Sequence, residues 1–130
     1  MVRENGVRAL MAGVYHYEPG AHRMKMVRDG DHMGELQEAA LDQEAIGMSA
    51  VCIVISAIFG RTTPKYGQRG VQYVHQESGA AAENVCLQAT ALGLGTVVMG
   101  AFTEASVSKA VGLGPDDIPL CLLPIGIPAE

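Results

Sequence analysis

The sequence has no Cys-x-x-Cys pair, no basic tract and no apolar run long enough to cross a bilayer, and each absence removes a class of function. Its three cysteines, Cys52, Cys86 and Cys121, are odd in number and far apart. That pattern argues against a disulfide framework and against a zinc site, and it points to a reducing compartment. Lys and Arg number 9 against 14 Asp and Glu, a formal net charge of −5, and beyond residue 70 the basic residues are represented by Lys109 alone. This balance disfavours nucleic-acid binding. No block of like charge marks a tail or a polybasic anchor. The longest apolar run, residues 50–59 interrupted by Ser56, is about half of the roughly 20 residues that a membrane span requires. No basic segment precedes an apolar stretch at the start. These readings predict a soluble, cytoplasmic protein that engages neither nucleic acid nor membrane.

What is present suits one domain over residues 1–130. That length can bury a core of its own. A hydrophobic content of 48% with 18% charged residues exceeds what a small exposed monomer needs, so a homo-oligomer is expected to cover part of the surface.

The hydrophobic pattern orders the elements. Asn5-Gly6 marks a tight turn, and alternation through Val14, Tyr15, His16 and Tyr17 reads as a strand closing at Pro19-Gly20. Alternating basic and apolar residues 23–28 predict a partner strand with one wet face. Asp31 is placed to cap a helix over about residues 33–43. The β-branched run 50–57 predicts a central strand covered on both faces. Pro64 sits at a first-turn position of the next helical region. Residues 71–92 then hold helical spacing, with Gly79, Ala82, Cys86, Ala89 and Gly93 along one smooth face that permits close approach of a partner subunit. Gly93 and Gly95 end that helix, residues 96–99 form a short strand, and Thr103 caps a last helix over about residues 104–111. Residues 118–127 form the closing strand. No internal repeat or interdomain linker is present.

Three segments together carry a family resemblance. Lys65-Tyr66-Gly67-Gln68-Arg69-Gly70 precedes the long helix, Leu92-Gly93-Leu94-Gly95 follows it, and the short strand after that ends in Gly100-Ala101-Phe102. With Gly13-Val14-Tyr15-His16-Tyr17-Glu18-Pro19 upstream, the order resembles the nitroreductase family, most closely its SagB-type peptide-azoline dehydrogenase branch, over nearly the whole chain. Val71, Gln72, Ala80 and Glu83 depart from the residues usual in that branch. The family's Arg-Arg-Ser helix, which grips the flavin phosphate, and its Pro-Ser-Ala-Gly segment have no counterpart in the sequence, and Met1 is expected to fall within a strand. The resemblance implies an α+β fold: a nitroreductase-like mixed sheet with flanking helices, truncated at its N-terminus and forming a homodimer.

The resemblance also implies roles. Lys65 and Tyr66 would be the catalytic pair, since flavin dehydrogenation removes a proton while hydride leaves, and an amine or phenolate can take that proton. On residues alone, a Lys-Tyr at a helix start also reads as a solvated head with a core anchor. Backbone around Val98, Met99, Gly100 and Ala101 would face the flavin, where the plain alternative is a helix end followed by a packed strand. Arg61, Lys65 and Arg69 at steps of four would form a cationic stripe on a helix, with Arg61 and Arg69 as cofactor-binding candidates or simply a solvated face. The glycines follow a helix and precede a strand, the reverse of a dinucleotide loop. His16 and His22 lack a third ligand, so no metal site is expected. His75, Glu77 and Ser78 lack a nucleophile elbow. Glu83 and Asn84, mid-helix, are expected to reach solvent or a subunit contact.

The leading expectation is an FMN-dependent oxidoreductase passing hydride between flavin and a small organic or peptide-azoline substrate, with NAD(P)H available as electron donor. FMN is expected to bind this chain alone weakly or not at all. The alternatives are a non-catalytic dimeric scaffold or ligand-binding module, and one half of a split flavoenzyme.

Overall fold

The alternating segment after the first turn folds as a hairpin in the computed structural model, which describes residues 1–128. β1 (Gly13–Glu18) pairs antiparallel with β2 (Arg23–Asp29), with a register shift between Val14 and Tyr15. Tyr17 stands opposite Met24 and Glu18 opposite Arg23. The Arg23 guanidinium donates to Glu18 at 2.6 Å on the surface, where such a pair contributes at most about 1 kcal/mol.

Asp31 is not the cap expected of it: the N-cap is His32, which makes no side-chain cap bond, and Asp31 bonds the first turn from one residue ahead. Its carboxylate accepts the Met33 N–H and also the Glu4 N–H, each at 2.9 Å, tying the first turn to the start of α1 (Met33–Ala39). The helix is shorter than its apolar spacing predicts, because Leu41 and Asp42 take φ values of 59° and 58°, a region that ends a right-handed helix. A second short helix, α2 (Glu44–Met48), follows; the sequence reading did not separate it.

β3 (Val51–Ala57) pairs antiparallel with β5 (Ile118–Gly126), and β5 pairs on its other edge with β4 (Gly95–Thr96). The order is β3-β5-β4, and β3 pairs on its other edge with residues 1–3, Val2 bridging Val51, so β3 is interior as the apolar run suggested and β5 is interior beside it. Successive residues of β3 and β5 face opposite sides. Cys52, Val54 and Leu122 join the larger core with Met33, Leu36, Ile46 and Val107. Ile53, Ile55, Cys121 and Leu123 meet Ala82, Val85 and Cys86.

That second face is covered by α4 (Gln68–Ala91), which follows the short α3 (Thr63–Tyr66) across a break at Gly67. α4 ends where Gly93, at φ 71°, lets the Leu94 N–H turn back to the Ala89 carbonyl at 2.9 Å, a left-handed helix stop. The small-residue face of α4 packs differently from expectation. Ser78, Ala82 and Ala89 are buried against the chain's own sheet, because only small side chains let a helix lie close over the branched residues of β3. Gly79, Ala80, Glu83 and Leu87 point outward and are exposed. Within one chain α4 is therefore covered on one side. α5 (Glu104–Val111) packs on the opposite sheet face, and Thr103 makes no side-chain cap; its N–H bonds the Ala39 carbonyl at 2.8 Å instead. Arg28 reaches from β2 to the Lys109 and Ala110 carbonyls at the end of α5, where a cation offsets the helix dipole.

Ala82→Leu is expected to destabilise the isolated chain by about 1–3 kcal/mol through overpacking, whereas Leu87→Ser on the outer face should change it by less than about 0.5 kcal/mol. Urea unfolding of the two variants checks this, and equal effects would contradict the assignment of faces.

Burial alone would raise the Asp31 carboxyl, but hydrogen bonds from Glu4 and Met33, aided by Arg3 and His32, outweigh it and hold the pKa below the ordinary aspartate value. The folded pKa being depressed, this contribution is present above about pH 4 and is lost as pH falls through the folded value. Asp31→Ala should cost about 1–2 kcal/mol at neutral pH through loss of its hydrogen bonds from Glu4 and Met33. The gap from wild type should narrow below about pH 4 in thermal melts.

Candidate functional site

Gly67 determines the local geometry of the site. Its φ of 56° and ψ of −142° are conformations that a side chain disfavours, and the turn it makes redirects the chain from α3 into α4. Tyr66 and Tyr73, on either side of the break, consequently meet edge to face with ring centroids 5.3 Å apart and planes at 83°. Lys65 Nζ lies 5.0 Å from the Tyr66 ring centroid and the Arg69 guanidinium 5.8 Å from that of Tyr73. Two cations thus rest on two interlocked phenols, an arrangement in which each charge faces the negative side of a ring.

Beside this cluster lies a cavity of about 970 Å³, walled by the end of β3, the first half of α4 and the hairpin. Tyr66, Tyr73, Arg61, Glu77, His16 and Asp117 give it its polar groups. Ser78, at 9% exposure the one buried polar side chain of α4, also lines it and sits 3.9 Å from Cys121 Sγ. The result is a partly apolar hollow with a cation at Arg61, two carboxylates and stacked phenols, a composition suited to a small organic ligand.

Among the residues expected from sequence to act, Lys65 and Tyr66 are brought together, and Tyr66, 45% exposed, opens onto the cavity with Arg61. Arg61, Lys65 and Arg69 do not form one helical stripe, because they lie on a 3-10 turn, on α3 and on α4 respectively. Val98, Met99, Gly100 and Ala101 lie elsewhere, after β4. Met99 is buried and exchanges both backbone hydrogen bonds with Leu122, at 2.8 and 2.9 Å. Val98, Gly100 and Ala101 are exposed, and the Ala101 carbonyl accepts from Gln43 Nε2 at 2.8 Å. β4 and β3 flank β5 on opposite edges, so these residues and the Tyr66 cavity belong to opposite sides of one chain.

Tyr73, Glu77, His16 and Asp117 were not singled out as site residues by the sequence reading. A signal existed for two of them: Gly70, Tyr73, Glu77 and Ala81 share one face of α4 by their spacing. His16 and Asp117 arrive through tertiary packing and carry no local signal.

FMN brings a flat ring and a phosphate, and the residues present fit it as two half-sites. Arg61 has no carboxylate partner among the described residues, which leaves it free for an anion. A Cβ built at Gly100 would meet nothing within 4 Å, so a ring can approach that backbone. Arg61 and Arg69 would hold the phosphate, and residues 98–101 the ring edge. Cys52 and Cys121 are poor nucleophiles: burial pushes the Cys52 thiol up to about 11 and raises that of Cys121 as well, and a thiol is inert without its thiolate. His22 Nδ1 bonds the Tyr17 hydroxyl at 2.9 Å, and no described helix is long and apolar enough to cross a membrane.

The sequence profile described as the Nitroreductase family matches residues 3–127. A nitroreductase-family protein of Methanocaldococcus jannaschii is 42% identical over 114 residues, which are 88% of this chain and 57% of that protein. Among solved structures, a nitroreductase-type protein of Anabaena variabilis superposes with a TM-score of 0.87 at 23% identity, over 95% of this chain and 26% of that one. The E. coli microcin synthetase McbBCD complex with truncated pro-MccB17 bound gives a TM-score of 0.85 at 25% identity, over 99% of this chain and 50% of the matched chain. The chain thus spans little more than half the length of the curated relative it matches. From the match along nearly all of its sequence, with the α+β architecture those structures share, the chain belongs to the nitroreductase family.

Proposed function

We propose that the chain is the Tyr66-bearing part of an FMN-dependent oxidoreductase of the SagB-type branch, acting on a small organic or peptide-azoline substrate and working as a homodimer in the cytoplasm. The observation that carries this reading is the Lys65–Tyr66–Tyr73–Arg69 cluster opening onto a cavity of about 970 Å³. The likeness to the microcin synthetase complex, which has a peptide bound, supports a peptide among the substrates.

When bound, FMN supplies the hydride acceptor, and NAD(P)H can serve as donor in the reverse direction. The chain's part is the proton. A substrate losing hydride from carbon must also lose a proton from the neighbouring atom, and the Lys65–Tyr66 pair would take it, as free amine or as phenolate. Lys65 rests its charge over the Tyr66 ring, and Tyr73, meeting Tyr66 edge-on, fixes the orientation of that ring. Arg61 holds an anionic end of cofactor or substrate. Because residues 98–101 and the cavity lie beside opposite edges of β5, a two-fold dimer would bring Gly100 of one subunit toward the Tyr66 cavity of the other.

A second reading is favoured by that same separation: one half of a split enzyme, or a dimeric scaffold without turnover, in which another chain completes or replaces the ring side. The two readings differ in flavin binding. Titration of FMN with the purified chain, followed by flavin fluorescence, is expected to give weak binding, since phosphate contacts normally supply both charge pairing and orientation. Stoichiometric retention of flavin through gel filtration would instead establish a complete site in this chain. With flavin loaded, Lys65→Ala and Tyr66→Phe should each slow substrate oxidation by about 10²-fold, the range for loss of a general base, with flavin occupancy unchanged. Normal turnover by both variants would rule out the catalytic assignment.

A further inference from the structure

Opposite charges border the Tyr66 cavity without meeting. Arg61, Glu77 and Asp117 all line this hollow of about 970 Å³, yet among the described residues none of the three takes part in an ion pair. The Arg61 guanidinium therefore stands more than 4.0 Å from either carboxylate. Charges of opposite sign that share a hollow and stay apart leave room for something between them.

The backbone explains the separation. Arg61 ends the 3-10 turn Phe59–Arg61. Thr62 and Thr63, which follow it, lie against Gly70 in the first turn of α4, where a Cβ would come within 3.2 Å of the Thr63 Cα. Glu77 is seven residues further along α4, two turns on the same face and roughly 10 Å along the axis. The cation thus enters near the start of α4 and the Glu77 carboxylate two turns along it. Asp117 adds a second carboxylate from the sheet side, ahead of Ile118, which stands opposite Ala57 at the end of β3. Ile55, Val74 and Leu120 give the hollow an apolar stretch. Ser78, next to Glu77 and 9% exposed, supplies a buried hydroxyl whose side-chain contact is the Cys121 thiol at 3.9 Å, a weak partner for an oxygen.

We propose that the cavity selects a zwitterionic ligand, an amino-acid-like or short peptide-like molecule whose carboxylate meets Arg61 and whose protonated amine meets Glu77 and Asp117. A guanidinium takes a carboxylate through two parallel N–H bonds. An ammonium carries three N–H donors, and Glu77, Asp117 and the Ser78 oxygen are three acceptors for them. A ligand with a single charge would cover the group at the opposite end with apolar surface and leave it without a partner, which is unfavourable. Selection thus comes from the two ends together, while the apolar stretch between them accepts a ring or a methylene chain. The proposal rests on the reading of this cavity as the substrate site, and it narrows the substrates of that site to molecules charged at both ends.

Isothermal titration of the purified chain in low-salt buffer, with no flavin present, tests it. The probes are para-(aminomethyl)benzoate, which is rigid, and ε-aminocaproate, whose flexible chain adjusts its span; both carry the two charges. Benzylamine and benzoate serve as controls with one charge each. At least one zwitterion should bind about tenfold or more tightly than either control. Glu77→Gln should bring that zwitterion down to the affinity of benzoate and leave benzoate itself unchanged. Arg61→Gln should bring it down to the affinity of benzylamine and leave benzylamine unchanged. Both side chains are exposed, so neither substitution disturbs the core. A control that binds as tightly as both zwitterions, no binding of either zwitterion, or a preference that survives either substitution would overturn the proposal. A failed FMN titration leaves these affinities as they are, and a missing preference for zwitterions leaves the flavin reading standing with other substrates.

Discussion

Leu122 and Leu123 are adjacent in β5 and both fully buried, although neighbours in a strand face opposite sides of the sheet. A strand buried on both faces must have a layer on each, and the rest of the chain is arranged to supply them. α1, α2 and α5 close over Leu122, and α4 closes over Leu123. Each leucine contributes roughly 1.5–3 kcal/mol by leaving water. The antiparallel β3 extends the same two-sided surface through Cys52 and Val54 on one face and Ile53 and Ile55 on the other. α4 can lie close to those branched residues only because Ser78, Ala82 and Ala89 are small, so the composition of the helix is a consequence of the sheet beneath it.

This constraint explains what could and could not be read in advance. The hairpin, β3, the long helix, α5 and the closing strand were legible because each carries a strong local period or a glycine or proline stop. The order of the strands was not. The apolar run of β3 looks more central than β5, whose Pro119 and Pro124 suggest an edge, yet β5 pairs on both sides. The break of α1 at Leu41 and Asp42 was hidden because neither residue is a glycine, and left-handed backbone at such residues is set by tertiary packing. The small-residue face of α4 was visible as a face, but a sequence does not say whether a smooth face meets a second subunit or the chain's own sheet.

The site divides in the same manner. Lys65 and Tyr66 were legible through a motif, and Gly67 beside them carries the physical reason: a left-handed hinge that aims the phenol across the start of α4 toward Tyr73. The cationic stripe failed at that hinge, since a period of four presumes a continuous helix and Gly67 interrupts it. Glu77 lay on the right face of α4, but helical spacing alone does not distinguish a cavity wall from a solvated surface. His16 and Asp117 come from elements about a hundred residues apart in sequence, and a pairing of that kind is decided by the topology of the sheet.

The same sheet order separates the chain's two groups of candidate residues. β5 stands between β3, whose end walls the Tyr66 cavity, and β4, which leads into Gly100. A ligand reaching both would have to span the width of β5, about 9–10 Å from β3 to β4. Joining the two groups is the part that a symmetric copy or another chain would play under the function proposed above. The chemistry of the site depends less on the reactivity of any one side chain than on how the sheet order sets the two groups of residues relative to each other.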